Sequence, residues 1–307
     1  MRDITLLSVP FGLGAGRAGS ELGPAKLVGE LDLAGSLRRH GLRIGDEKEI
    51  AVASLLKAMP PDAAGYAGKA SGMKHAAEVL SVSRALAAEG AAAAAAGHFP
   101  LFIGGDHSMA IGSVAGLTAR YEQMGIIWFD AHADLNTETT SFTGNMHGIS
   151  LAAAIGLTTL SLKDVYRAAK PIALERAVLL GARDLDPAEE RFIQQSGLTY
   201  FSKTDIGRLG IEETTRRALQ IACKDADGLH LSFDIDSVDP GEAPGTGTPV
   251  PGGISILEVR LALRIIGSSA LLSSADFVEL NPLLDQGERT SKLMHSLIAE
   301  LLLAHSS

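Results

Sequence analysis

Cysteine is nearly absent: Cys223 stands alone among 307 residues. No intramolecular disulfide can form, and a reducing compartment, the cytoplasm, is expected. Long apolar runs are missing too. Nowhere do the roughly eighteen uncharged apolar residues of a membrane span run together, and the opening MRDITLLSVPFG has too short an apolar run and too early an acid for a secretory leader. Positive charge is also scarce, since 27 Lys and Arg face 36 Asp and Glu for a net charge of -9. That balance excludes the basic footprint needed for nucleic acid and the polybasic handle needed for an anionic membrane, so the expected partner is a small molecule. What is present is ordinary for a globular chain, 46% apolar and 21% charged. It is long enough for one large domain or two small ones. With no long linker and no internal repeat, a single domain over residues 1–307 is expected.

Short β-branched or leucine-rich runs alternate with longer helical stretches, the pattern of an α/β fold whose parallel sheet is covered on both faces. Strands are expected at ITLLSV near residue 5, PLFIG near 102, GIIWFD ending at Asp130, AVLLG near 179, GLHLSFDID around 232 and LLSSADFVEL ending at Glu279. Helices are expected between them, among them Pro24 to Arg39, Lys74 to Ala95, Ser108 to Tyr121, Ile211 to Cys223 and Ser255 to Ile266. The tract GAAAAAAG at 90–97 reads as a helix end built from the best helix former and carries no chemistry.

Open α/β sheets bind ligands beyond the carboxyl ends of their strands. Three such points end in acids or histidines: GGDHS with His107, DAHADLN with Asp130, His132 and Asp134, and DID with Asp234 and Asp236. Alone, GGDHS is a turn into a helix capped by Asp106 or Ser108, and a lone DxD is weaker still. Carboxylates at the mouth of a buried strand are costly unless something offsets their charge, which makes the joint pattern a metal signature. Residues two apart on a strand lie about 6.6 Å apart on one side, and residues four apart lie about 13 Å apart. Two ions can therefore share the row. Asp130 and Asp134 meet one ion only if the chain curls after the strand, a turn that the small Ala131 and Ala133 permit. Four carboxylates and two imidazoles without thiolates suit a pair of hard divalent ions, manganese before zinc.

GGDHS, DAHADLN and SFDIDSVDP together resemble the three metal motifs of the ureohydrolases, the arginase and agmatinase group. VPFGLGAGRAGSELGP, GARDLDPAE, APGTGTPVPGGIS and DFVELNP resemble arginase segments in arginase order, so the likeness covers nearly the whole chain. It implies a three-layer α/β/α fold with a mostly parallel sheet of about eight strands, two Mn²⁺ per subunit, and assembly into homotrimers or homohexamers. Carried over by residue, it implies that His107, Asp130, Asp134 and Asp234 hold one ion. Asp130, His132, Asp234 and Asp236 would hold the other.

Within the group, NTETTSFTGNMHG is similar to arginases, which implies that Asn136, Thr143 and Asn145 receive the α-carboxylate of an amino acid and Asp186 its α-ammonium. Agmatinases typically continue their histidine with Gly-Thr-Met, whereas this chain reads HGIS. L-arginine is therefore the implied substrate, with ornithine and urea as products. Two departures stand out. Thr143 replaces a common serine and keeps its hydroxyl, and Ile149-Ser150 stands where a proline usually ends the motif, which bears on rate or pH dependence more than on substrate class. The implied catalytic residues are Asp130 for proton shuttling, Glu279 for holding the guanidinium and His147 for relaying a proton to solvent. The nucleophile would be a hydroxide bridging the metals. Each also has a plainer reading: His147 as a helix start, Glu279 as a strand-end acid, Asp186 and the asparagines as turn residues, and Thr248 as a turn residue or a substrate contact. Arg17 can steer the carboxylate or pair locally. The alternatives are an agmatinase, a guanidinobutyrase or a non-catalytic metal scaffold of the same fold.

Overall fold

The computed structural model describes residues 2–59 and 72–306. Eight strands form one sheet: β1 (Ile4–Val9), β2 (Ile44–Glu49), β3 (Phe99–Gly104), β4 (Met124–Phe129), β5 (Ala177–Leu180), β6 (Thr199–Phe201), β7 (Gly228–Asp234) and β8 (Leu272–Val278). Their order is β2-β1-β3-β8-β7-β4-β5-β6, and every pairing is parallel. The expected mostly parallel sheet is thus wholly parallel. The six strands read from sequence are all present; β4 and β8 end one residue before Asp130 and Glu279, and β7 ends at Asp234. β2 and β6 escaped that reading because they are the two edges. The edge strand β2 presents IGDEKE, nearly all exposed, and an edge that must stay in water carries charge rather than an apolar run.

Side chains alternate across the sheet and split the core into two layers. Leu7, Phe102, Trp128 and Leu179 pack on one face against the helices Ala76–Ala95 and Ala110–Thr118. Leu6, Leu101, Phe129 and Leu231 pack on the other against Ile211–Ala222, Ile256–Gly267 and Arg289–Ser306. This is the three-layer α/β/α arrangement. The helix read over Pro24 to Arg39 is interrupted: a π-helical turn (Ala25–Glu30) and an α-helix (Leu33–Arg39) meet at Asp32, whose φ is 49°. The Asp32 side chain accepts from Gly35 N at 3.1 Å, so a local cap outcompeted helix continuation. No helix among the described residues is long and apolar enough to cross a membrane.

The chain runs from β3 to β4 across a gap of two positions, which β7 and β8 fill only later. Four neighbouring strands, β3, β8, β7 and β4, therefore present their carboxyl ends at the middle of one rim, far from either edge.

Candidate metal centre

Every group of the sequence-derived metal set lies at that rim. Asp130 follows β4, Asp234 ends β7 and Asp236 sits in the turn after it, His107 opens the turn after β3, and Glu279 follows β8. The curl demanded by the DxHxD spacing is real. Asp134 has a φ of 51°, a left-handed conformation unusual for a residue with a side chain, and this brings its carboxylate back beside His107. Ala131 and Ala133 are fully buried, so the turn has no room for larger residues. Glu279 is also left-handed, with φ 63°, so strain gathers at two of the site's acids.

Two groups of three side chains come close enough to share an ion: His107 with Asp130 and Asp234, and Asp130 with His132 and Asp236. His107 Nδ1 faces Asp130 Oδ2 at 3.0 Å, Asp234 Oδ2 at 3.2 Å and Asp134 Oδ2 at 3.4 Å. His132 Nδ1 faces Asp236 Oδ2 at 3.1 Å and Asp130 Oδ1 at 3.5 Å. Backbone amides hold the acids in place: His132 N donates to Asp130 Oδ1, Asp236 N to Asp234 Oδ1 and Ala131 N to Asp236 Oδ1. Trp128 Nε1 donates to Asp130 Oδ2 at 3.0 Å while its ring stacks on His107 at 4.1 Å. Asp106, one of the two residues expected to cap the GGDHS turn, accepts from Ser108 N and Gly14 N and so caps it.

The electrostatics test whether these residues fit a metal. His107 Nδ1 is buried, and none of the three oxygens around it lies in hydrogen-bonding alignment. Burial, then the charge of neighbouring carboxylates, pushes Asp134 and Asp234 well above the usual carboxylate range, and burial raises Asp236 as well. Burial opposes the charged form of Asp130 too, but His107 and His132 hold it well below that range. Protons alone therefore leave the cluster frustrated, with some acids forced neutral and one nitrogen unaligned. A divalent cation would relieve both, accepting the nitrogen lone pair and the carboxylate charge together. The donor set, all oxygen and imidazole, fits hard divalent ions.

A cavity of about 160 Å³ reaches this cluster and is lined also by Asn136, Thr143, His147, Asp186 and Thr248. It adjoins a wider mouth of about 500 Å³ bordered by Arg17, Asn145, Asp184 and Glu279. Glu279 Oε1 accepts from His107 N at 2.8 Å and pairs with His147 Nδ1 at 3.1 Å. Burial would raise Glu279, but His147 keeps it below its ordinary range. Burial would lower His147, but Glu279 lifts it to about 9. Asn136 donates to Asp186 Oδ2 at 2.8 Å and accepts from Thr140, so its amide orientation is fixed. Thr248 gives its hydroxyl to Asp236 Oδ2 at 3.1 Å while lining the cavity. Arg17 is exposed at the mouth.

The family model described as "Arginase family" matches residues 2–304. The chain belongs to the arginase family. It is 36% identical to the arginase of Bacillus caldovelox over 307 residues, which span 99% of this chain and 100% of that protein. The crystal structure of the Bacillus caldovelox arginase superposes with a TM-score of 0.89 at 34% identity, covering 98% of each chain. An Entamoeba histolytica arginase in complex with L-ornithine superposes at 0.82 with 30% identity, covering 98% of this chain and 97% of that one.

Several residues of this arginase-family site were not singled out from sequence. Glu189 is buried and ties two walls of the cavity, accepting from Leu135 N and Asp186 N. Its signal was the DPAE spacing of a helix start. Arg183 donates to the carbonyls of Asp236, Ser237 and Val250, clamping the loop that carries Thr248. Lys74 donates to Asn145 Oδ1 at 3.3 Å from a distant segment, and no local pattern could have shown it. Ile149 and Ser150, the departure noted from sequence, are both buried, and Ser150 Oγ donates to Met146 O. His147 N meanwhile donates to Gly14 O at 3.1 Å.

Proposed function

We propose that this chain is a hydrolase converting L-arginine to L-ornithine and urea, with two Mn²⁺ held by His107, Asp130, His132, Asp134, Asp234 and Asp236. The reading treats residues 1–307 as one catalytic domain, cytoplasmic, in a homotrimer or homohexamer. What supports it most is that one cavity joins the acid cluster to Asn136, Thr143 and Asp186, the groups suited to an amino acid's charged end. Bound there, divalent ions would lower the pKa of a water towards neutrality and offset the charge of four buried aspartates.

The chain's own residues supply the rest. Glu279, held ionised beside His147, takes the guanidinium nitrogens by charge-assisted hydrogen bonds. Asp186 takes the α-ammonium, and Asn136, Thr143 and Asn145 take the α-carboxylate. Hydrolysis adds a water oxygen to the guanidinium carbon and breaks the bond from that carbon to the ornithine nitrogen. That nitrogen must leave protonated, because an amide anion is far too basic. Asp130 carries the proton from the attacking water to it. His147, in contact with the cavity, exchanges a proton with solvent.

A urea assay with added Mn²⁺ on L-arginine, agmatine and 4-guanidinobutyrate tests this. Urea from arginine is expected, with kcat/KM at least about a hundredfold above that for agmatine, because a site built for a carboxylate is left with unpaired polar groups. Equal turnover of agmatine would favour the agmatinase reading, and no urea from any of the three would favour a scaffold.

A further inference from the structure

Beneath the acid cluster the sheet does something unusual for its interior. On the face of β7 and β8 opposite Leu229, Leu231 and Phe233, the alternate positions are polar: His230 and Ser232 on β7, Ser274 and Asp276 on β8, all fully buried. The register pairs His230 with Ser274 and Ser232 with Asp276. Asp276 Oδ1 accepts from Ser232 Oγ at 2.6 Å, and its Oδ2 lies 2.9 Å from His230 Nε2 and accepts from Ser113 Oγ at 3.0 Å. His230 Nδ1 lies 2.9 Å from Ser274 Oγ. The seam ends at Ser232 Oγ, 2.8 Å from His107 Nε2.

Hydrogen counting gives this seam a direction. A carboxylate only accepts, so Asp276 commits the single hydroxyl hydrogen of Ser232 to itself. The Ser232 oxygen then offers lone pairs to His107, and Nε2 must carry the donated hydrogen. Nδ1 is left as the nitrogen that can be bare, and it is the one facing Asp130, Asp134 and Asp234. Trp128, stacked on the ring with an interplanar angle of 6°, holds the plane in which this choice is made.

We propose that Asp276, acting through Ser232, is a positioning residue that fixes Nδ1 of His107 as the ligating nitrogen and so sets the affinity of the first metal group. Histidine ligands gain affinity when a hydrogen-bond partner fixes the other ring nitrogen. Without Asp276 the Ser232 hydroxyl is free to turn towards His107 and donate to Nε2. The ring's hydrogen then moves to Nδ1, where it blocks a cation. The inference rests on the reading of the site as a metal centre.

The chain carries its own probe. Trp128 is the sole tryptophan and touches both His107 and Asp130, so its fluorescence reports Mn²⁺ added to metal-free protein. Ser232→Ala and Asp276→Asn, checked for folding by circular dichroism, are expected to weaken Mn²⁺ binding by about tenfold to a hundredfold. Ser232→Thr, which keeps the hydroxyl, is expected to restore near wild-type affinity. Folded Ser232→Ala and Asp276→Asn proteins with wild-type affinity would overturn the inference alone. Wild-type protein that binds no Mn²⁺ would overturn it together with the metal reading. Should these variants not fold, ¹⁵N NMR of the Zn²⁺-loaded wild-type protein decides: a hydrogen on His107 Nε2 supports the inference, and one on Nδ1 refutes it.

Discussion

His147 shows how one contact can set both the stability and the chemistry of this site. Its Nδ1 donates to Glu279 Oε1, and the pairing raises His147 to about 9 despite burial. A group raised on folding stabilises the folded state fully below its unfolded value, about 6.5, and that contribution is lost as pH rises through 9. Glu279 is lowered, so its share is present above its unfolded value, about 4.3, and is lost on acidification. Metal-free wild-type protein should therefore lose more stability than His147→Ala between pH 6.5 and 9 in paired urea denaturations; parallel curves would show that the pair is not formed. In the loaded enzyme the same variant should keep its metals, seen by atomic absorption, and lose about a hundredfold or more in kcat. The left-handed Asp134 and Glu279 belong to this scale too, since each places a carboxylate where a relaxed strand end could not.

Among the elements, the GGDHS turn does more than cap a helix. Gly105 N donates to Val9 O, Asp106 N to Phe11 O, and Glu279 N to Gly105 O, so one turn binds the ends of β1, β3 and β8. A Cβ at Gly105 would stand 1.9 Å from Phe11 O, a collision with backbone that no rotamer change can relieve. Gly105→Ala should cost about 1–3 kcal/mol of stability and displace His107. The check is a lowered denaturation midpoint accompanied by weaker Mn²⁺ binding; an unchanged midpoint would show that the turn yields easily. The strands β7 and β8 make a similar point about register, because a slip of one residue would exchange the polar seam for Leu229, Leu231 and Phe233 and leave its acid without partners.

For the molecule as a whole, the acid cluster sets how stability depends on metal. On the proposed reading the folded protein binds divalent ions and the unfolded chain does not hold the site together, so loading stabilises by mass action, about 2.7 kcal/mol when free metal is a hundred times Kd. Chelation should lower the melting temperature by about 4 °C for a chain of this size, reversed by Mn²⁺ and followed by calorimetry; an unmoved melting point would argue against a tightly held centre. By itself the sequence determined the α/β class, the central strands and the metal motifs, because apolar runs and the polar residues that end them are local signals. It did not show the edge strands, since β2 is charged and exposed and β6 is only three residues long, nor the break at Asp32, where a side-chain cap overrides helix propensity. Only the tertiary structure decided that Asp134 curls back to His107, that Lys74 meets Asn145, and that Asp276 reaches His107 through Ser232. Those partners are separated along the chain or turned by an unusual backbone angle, and strand order and register alone bring them together.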